Sequence, residues 1–236
     1  MVTKDAPLLE IVGVAGAGKT TLLTTLKRRD PSVFTDVMVS KLRRMELLIR
    51  HTARFLPAFL CRAPRGRWLS WDELRAMAYL EGWQRVAFGD RTSAIVFDHG
   101  PIFRLVQLRE FGPPLAASPA FGAWWNAARR AWARALDLVV WLDAPDTVLL
   151  PRIEGRDQRH VVKHKPIATA LEFLASYRRG YEKLLAEMSY EGHLRLIRFD
   201  TSRVAPEAIA EEVLIAMRSG PAAGSPSERA RGGSPS

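Results

Sequence analysis

Gly13-Val14-Ala15-Gly16-Ala17-Gly18-Lys19-Thr20 fits the pattern G-x-x-x-x-G-K-[ST] at every fixed position. A loop with so little Cβ bulk can turn its backbone N–H groups toward the α- and β-phosphates of a nucleotide. Gly13, Ala15, Gly16, Ala17 and Gly18 are the expected cradle, with Lys19, Thr20 and Thr21 at its far side. A helix starting near Gly18 adds its positive dipole end. Lys19 is placed to reach the β- and γ-phosphates, and the Thr20 hydroxyl to ligate Mg²⁺. ATP and Mg²⁺ are therefore the expected cofactors.

Two further stretches carry groups suited to moving a phosphoryl group. In "IVFDHGPIF" an apolar run ends at Asp98. A carboxylate there can hold a magnesium-bound water or take the proton from an acceptor hydroxyl. The plainer alternative is a cap on a helix beginning at Pro101. His99 beside it reads first as a structural turn residue. In "LDAPDTVLLPRIEGRDQRHVVKHK", Arg152, Arg156 and Arg159 stand at i, i+4 and i+7, one face if the piece is helical. Lys163, His164 and Lys165 follow. Such a flap, about 151–166, would close over ATP, exclude water and stabilise charge on the moving group. Pro151 and Gly155 suit a hinge.

The elements that must position these groups alternate along the chain. Apolar β-like runs occur at 8–12, 32–39, 93–97, 136–143 and 194–199. Helices are expected at 19–29, from the capping box Ser70-Trp71-Asp72-Glu73 to about Phe88, from Pro119 to about Ala135, and over 167–189 and 206–218. Continuous apolar strands separated by helices indicate an α/β domain, a parallel sheet covered on both faces. Its ligands belong at the carboxyl ends of the strands.

At 236 residues with 47% hydrophobic content, one domain with one sizeable core is the default. No apolar run approaches the roughly 18 residues of a spanning helix. Met1-Val2-Thr3-Lys4-Asp5 lacks the apolar stretch of a secretory signal, and the single cysteine, Cys61, permits no internal disulfide. The expected compartment is the cytoplasm. Residues 219–236, "SGPAAGSPSERARGGSPS", have too little to bury and are expected to be a disordered tail. A net charge of +10 favours anionic partners.

With these parts in order, the chain resembles the P-loop kinases of the thymidylate kinase and deoxynucleoside kinase type. The likeness covers most of 8–218: the phosphate loop, "VFDHG", "VVWLDAPDTVLLPRI" with its Arg-rich lid, "EFLASYRRGYEKLL" and "IRFDTSRVAPEAIAEEV". The resemblance implies a P-loop NTPase fold with a five-stranded parallel sheet and transfer of the ATP γ-phosphoryl group to a small acceptor. By position, Asp98 matches the family's aspartate at the end of the third strand, and Arg152, Arg156 and Arg159 fall in its lid. Those kinases commonly follow that aspartate with Arg and then Ser or Tyr; here His99 and Gly100 stand there. The acceptor-side arginine must come from elsewhere, with Arg104 and Arg109 the nearest choices.

Residues 40–69 occupy the place of the acceptor site. Met45, Leu48, Ile49, Thr52, Phe55, Leu56, Phe59 and Leu60 follow helical spacing, among many arginines, and Pro57 should kink the helix. Core packing of that stripe is the favoured reading; a basic amphipathic segment also leaves open a weak contact with an anionic membrane. Phe121, Trp125, Ala128 and Trp132 read as a core stripe, whereas Trp124 points elsewhere and is free to stack on an acceptor. The expectation is an ATP- and Mg²⁺-dependent phosphotransferase with a small, anionic or amphiphilic acceptor: a nucleoside, a nucleotide, or a sugar- or lipid-linked hydroxyl. The alternative is a nucleotide-dependent ATPase or switch acting on a protein, membrane or nucleic-acid partner. No nucleic-acid recognition module is visible, a homodimer is left open, and no guanine-reading N-K-x-D segment occurs.

Overall fold

The computed structural model describes residues 6–35, 37–61, 67–155, 161–191 and 193–219. Four parallel strands, β1 (Leu8–Val12), β2 (Ile95–Asp98), β3 (Leu138–Asp143) and β4 (Arg195–Asp200), lie in the order β2-β1-β3-β4. The register sets Ile11 beside Asp98 on one flank of β1 and beside Val140 on the other. Both ends of the phosphate-loop strand's neighbours are thereby fixed: β2 delivers Asp98, and β3 delivers Asp143, to the same edge of the sheet.

The helices are α1 (Lys19–Arg29), α2 (Lys41–Cys61), α3 (Trp71–Gly82), the single turn α4 (Gln84–Ala87), α5 (Pro101–Glu110), α6 (Pro119–Ala135), α7 (Asp146–Glu154), α8 (Ile167–Glu191) and α9 (Pro206–Arg218). The period-2 alternation of β1 divides its side chains between two cores. Leu8 and Val12 face a cluster with α2, α3, α5, α6 and the second half of α8. Leu9 and Ile11 face a cluster with α1, α7, α9 and the start of α8. Helices on both faces of a parallel sheet are what near-continuous apolar strands require.

The sheet has four strands, not five. The segment 32–39 makes a single parallel bridge, Phe34 to Ile95, with Phe34 N donating to Ala94 O (2.8 Å) and Val96 N donating to Phe34 O (2.9 Å). It then leaves the edge of the sheet. Trp83 Nε1 donates to the Val37 carbonyl (3.0 Å), and a Cβ on Gly82 would meet Val39 at 2.7 Å. The valines that suggested a strand are used instead to pack the chain across α3 and α4 on its way to α2. Apolar alternation reports burial, and burial against helices looks the same in sequence as burial in a sheet.

The capping box forms as expected: Glu73 N donates to Ser70 Oγ (3.3 Å) and Ser70 N to Glu73 Oε2 (2.6 Å). The helix it opens stops at Gly82 rather than Phe88, with α4 continuing as a separate turn. Helix α2 runs through Pro57 to Cys61. Trp124 is not free to stack on an acceptor. It is buried, its Nε1 donates to Glu81 Oε1 (2.8 Å), and its ring meets His51 edge-on at 5.5 Å. Among the described residues no helix is long and apolar enough to cross a membrane. All but the first residue of the tail expected at 219–236 lies outside the described residues.

Candidate active site

The loop from Gly13 to Gly18 leaves the carboxyl end of β1 between β2 and β3. Gly13 (φ 150°) could carry no side chain, since a Cβ there would lie 2.2 Å from the Leu142 carbonyl oxygen. Gly16 (φ 84°) adopts the left-handed conformation that favours glycine, as does Gly18, from which α1 starts. Successive residues of this kind turn backbone N–H groups into a concavity fitted to an anion. Lys19 folds over its own loop, Nζ donating to Gly13 O (2.8 Å) and Val14 O (3.1 Å). Thr20 and Thr21 are exposed beside it. Strand, loop and helix are thus the context that the sequence pattern demands, and their donors suit a nucleoside polyphosphate.

Beside the loop lies a cavity of about 450 Å³ walled by Gly16, Thr21, Leu142, Arg152, Thr201 and Ile209 among others. Arg152 crosses it, Nη1 donating to Thr201 Oγ1 (3.0 Å) and Nη2 to Thr201 O (3.0 Å), with Gly16 O at 3.4 Å. Arg152 therefore ties α7 to the phosphate loop and to the turn after β4. Helix α7 ends at Glu154, capped at Gly155, so the described helix does not carry the i, i+4, i+7 face onward. Arg156 and Arg159 lie outside the described residues.

Asp98 sits at the end of β2 with its side chain mostly buried. Its Oδ1 is 3.1 Å from His99 Nδ1, and that oxygen has no hydrogen-bond partner among the described residues. Burial pushes the Asp98 carboxyl up, but His99 and the charge of Lys19 outweigh it and hold the group below its ordinary value. It is an anion at neutral pH, in electrostatic contact with the lysine of the phosphate loop. The capping alternative is not realised: α5 is preceded by Gly100, and no side chain at its own N-cap bonds to it. His99 adopts a left-handed backbone (φ 56°) and rests edge-on against Phe103 at 4.6 Å.

The cap of α5 comes from Glu10, a residue absent from the sequence-based expectations. Glu10 is fully buried in β1, and its carboxyl accepts from Ile102 N (2.7 Å) and Phe103 N (2.9 Å), the second and third residues of α5. A Cβ–containing side chain at position 100 is excluded by the same group, because a Cβ on Gly100 would lie 2.9 Å from Glu10 Cδ and 2.4 Å from Phe97 Cβ. The glycine of Asp98-His99-Gly100 is thereby explained. The glycine makes room for a carboxyl that orients α5, and with it Phe103 and Arg104. The only local signal was an acid inside the apolar run Leu8–Val12.

Burial pushes the Glu10 carboxyl up to about 8 from an ordinary 4.5, against the pull of the two backbone donors. A group raised in the folded state gives its full contribution below the unfolded value and loses it as pH rises toward the folded one. Stability should therefore fall between about pH 5 and pH 8, by on the order of a few kcal/mol from this group alone. Glu10→Gln, which cannot ionise, is expected to flatten that slope. Thermal unfolding of both proteins across this interval checks it, and parallel slopes would refute it.

Three arginines, Arg44, Arg75 and Arg104, gather around Tyr79. Arg44 Nη1 on α2 donates to the Tyr79 hydroxyl on α3 (3.4 Å). Burial raises the Tyr79 phenol, but Arg44 and Arg75 outweigh it and lower it. Arg104 on α5 is pushed down first by burial and then by the charge of Arg75, and its buried Nε has no hydrogen-bond partner among the described residues. Arg75 has Asp72 beside it at 3.8 Å, and Glu10, the buried acid that acts on Arg104, is held toward its neutral form. Phe103, stacked on Tyr177 at 5.9 Å, walls the adjoining side. Of the two arginines considered for the acceptor side, Arg104 is here and Arg109 is not. Arg109 is paired with Glu187 (3.2 Å) and lies over the Trp125 ring at 4.8 Å. Arg178 is likewise structural, bonding Asp143 (2.9 Å) and Asp146 (2.7 Å) to hold the turn after β3.

No known family profile matches the chain, and no curated protein matches it in sequence. Solved structures do. One is the YorR protein of Bacillus subtilis in complex with phosphorylated GDP, at 12% identity over 89% of this chain and 95% of that one, TM-score 0.51. Another is deoxyadenosine kinase from M. mycoides with the products dCMP and dCDP bound, at 14% identity over 90% and 99%, TM-score 0.51. The chain has the fold of these proteins. The structural likeness runs over nearly the whole length of both chains, while at such identities the chemistry must be argued from the site itself.

Proposed function

We propose that the protein is an ATP- and Mg²⁺-dependent phosphotransferase that moves the γ-phosphoryl group of ATP to a small anionic acceptor. The observation that carries this reading is the placing of Asp98. It stands at the end of the strand next to β1, coupled to Lys19, and the helix that follows it carries Arg104. A nucleotide on the loop would lie beside its carboxylate, and the cluster of Arg44, Arg75 and Arg104 is the proposed site of an anionic acceptor.

The loop backbone from Gly13 to Gly18 would hold the α- and β-phosphates, and Lys19 the β- and γ-phosphates. The Thr20 hydroxyl and Asp98 would hold Mg²⁺, which, when bound, supplies charge neutralisation on the phosphates. Asp98 also suits the task of accepting the proton from the acceptor hydroxyl, because its lowered pKa keeps it ionised. Arg152 would close the nucleotide cavity against Thr201, with Arg156 and Arg159 proposed as its partners in the lid. Phe103 and Tyr177 offer an aromatic wall, and with the arginines they favour a nucleotide-like acceptor, a planar group plus a phosphate, over a neutral sugar.

The direct test is ADP release from Mg-ATP, alone and with pools of nucleosides, nucleoside monophosphates, sugars, sugar phosphates and lipid extract. Stimulation by a phosphorylated pool is the expected result. Hydrolysis that ignores every pool would move the weight to the ATPase or switch reading. Arg104→Gln should raise KM for the acceptor at least about tenfold, the loss of one charge-assisted contact, with KM for ATP little changed. An acceptor KM that does not move would remove the arginine cluster from the site.

A further inference from the structure

Tyr79 stands among Arg44, Arg75 and Arg104 without a charge of its own, and its ring is held in place. It stacks on Trp83 at 5.1 Å, and Trp83 is pinned by its Nε1 to the Val37 carbonyl (3.0 Å). Trp83 in turn packs on Phe97 at 5.0 Å, and Phe97 immediately precedes Asp98 on β2. This chain of rings fixes the phenol relative to the strand that carries Asp98. The hydroxyl is therefore in position before any ligand arrives.

The hydroxyl oxygen already faces cations. Arg44 Nη1 donates to it (3.4 Å), and Arg75, one turn earlier on the same face of α3, acts on the same group. A phenol has one proton to give. Among the described residues Tyr79 donates no hydrogen bond. An O–H set among guanidiniums, with no acceptor of its own, calls for an anion supplied by a ligand. Burial works to raise the phenol pKa, but the two guanidiniums prevail and make that O–H a stronger donor.

Charge balance narrows the kind of anion. Arg75 has Asp72 at 3.8 Å, whereas Arg44 and Arg104 have no ion-pair partner among the described residues. Two cations without counter-ions match a group with two negative charges. A phosphate monoester carries them above its second pKa of about 6, while a phosphodiester carries only one.

We propose that Tyr79 determines acceptor specificity by donating its hydroxyl proton to a non-bridging oxygen of a phosphate monoester dianion held by Arg44 and Arg104. The inference rests on the reading of the arginine cluster as the acceptor site. It adds to that reading the residue and the charge by which a monoester is told from a diester.

The test titrates the full chain, by phosphorus NMR at about pH 8, with methyl phosphate, a dianion, and dimethyl phosphate, a monoanion. A non-hydrolysable ATP analogue with Mg²⁺ fills the phosphate loop, so that the loop does not answer for the cluster. Methyl phosphate should bind at least about tenfold more tightly than dimethyl phosphate. Tyr79→Phe keeps the ring on Trp83, so it should melt near the wild type and bind the ATP analogue equally. Its Kd for methyl phosphate should rise about tenfold, the loss of one hydrogen bond to a charged group. Arg104→Gln should weaken methyl phosphate by a similar factor, which places the probe in the cluster. Four results overturn the proposal: no binding of methyl phosphate by the wild type, equal binding of the two probes, unchanged affinity in Tyr79→Phe, or unchanged affinity in Arg104→Gln. Methyl phosphate bound through Tyr79 in a chain that releases no ADP would sink the proposed reaction and leave the phosphate site standing. Acceptor-stimulated ADP release with the same acceptor KM in Tyr79→Phe would do the reverse.

Discussion

Lys19→Ala is expected to abolish ATP turnover and to weaken nucleotide binding by at least about 100-fold, the scale on which removal of a preorganised charge acts. The lysine side chain spans the phosphate loop, bonded to the Gly13 and Val14 carbonyls at the carboxyl end of β1. Its ammonium also helps to hold Asp98 ionised across the gap to β2. The substitution removes both effects and leaves the backbone of the loop, which is set by Gly13 and Gly16, in place. Displacement of a fluorescent ATP analogue reads the binding, and ADP release reads the turnover. A variant with undiminished turnover would sink the phosphate-loop assignment, and with it the proposed reaction.

Asp98→Asn separates binding from chemistry. ATP affinity should stay near that of the wild type, because the loop, Lys19 and Arg152 are untouched. Turnover should drop by about 10²- to 10⁴-fold, the range for loss of a general base, and further if the carboxylate also organises Mg²⁺. The amide keeps the size of the group and its place beside His99, so the variant should melt near the wild type. If binding and turnover were lost together, Asp98 would be holding the strand end rather than doing the chemistry.

Much of the architecture is legible in the sequence because it is local. A glycine loop between an apolar run and a helix specifies its own geometry, and Ser70 and Glu73 lie within one turn of each other. The limits of α9 and of the core strands follow from Pro206 and from short apolar runs bounded by turn residues. The same local evidence placed Asp98 at a strand end. It could not say whether the run 32–39 would pair along its length, because that depends on what α3 and α4 present to Val37 and Val39 from some forty residues away.

The contacts that set the character of the proposed acceptor side are non-local. Glu10 caps α5 across 92 residues of chain, Arg44 meets Tyr79 across 35, and Arg109 is drawn off to Glu187 across 78. Composition counts such charges but cannot pair them; only the packed sheet decides which arginines are neutralised and which remain to bind an anion. The two faces of α2 make the same point for apolar groups. Helical spacing marks Met45, Leu48, Ile49 and Phe55 alike, and it took the positions of Phe121 and Trp124 to bury some and leave the others in water. Periodicity along one chain segment is a property of that segment, whereas burial and charge balance belong to the neighbours that the tertiary structure brings to it.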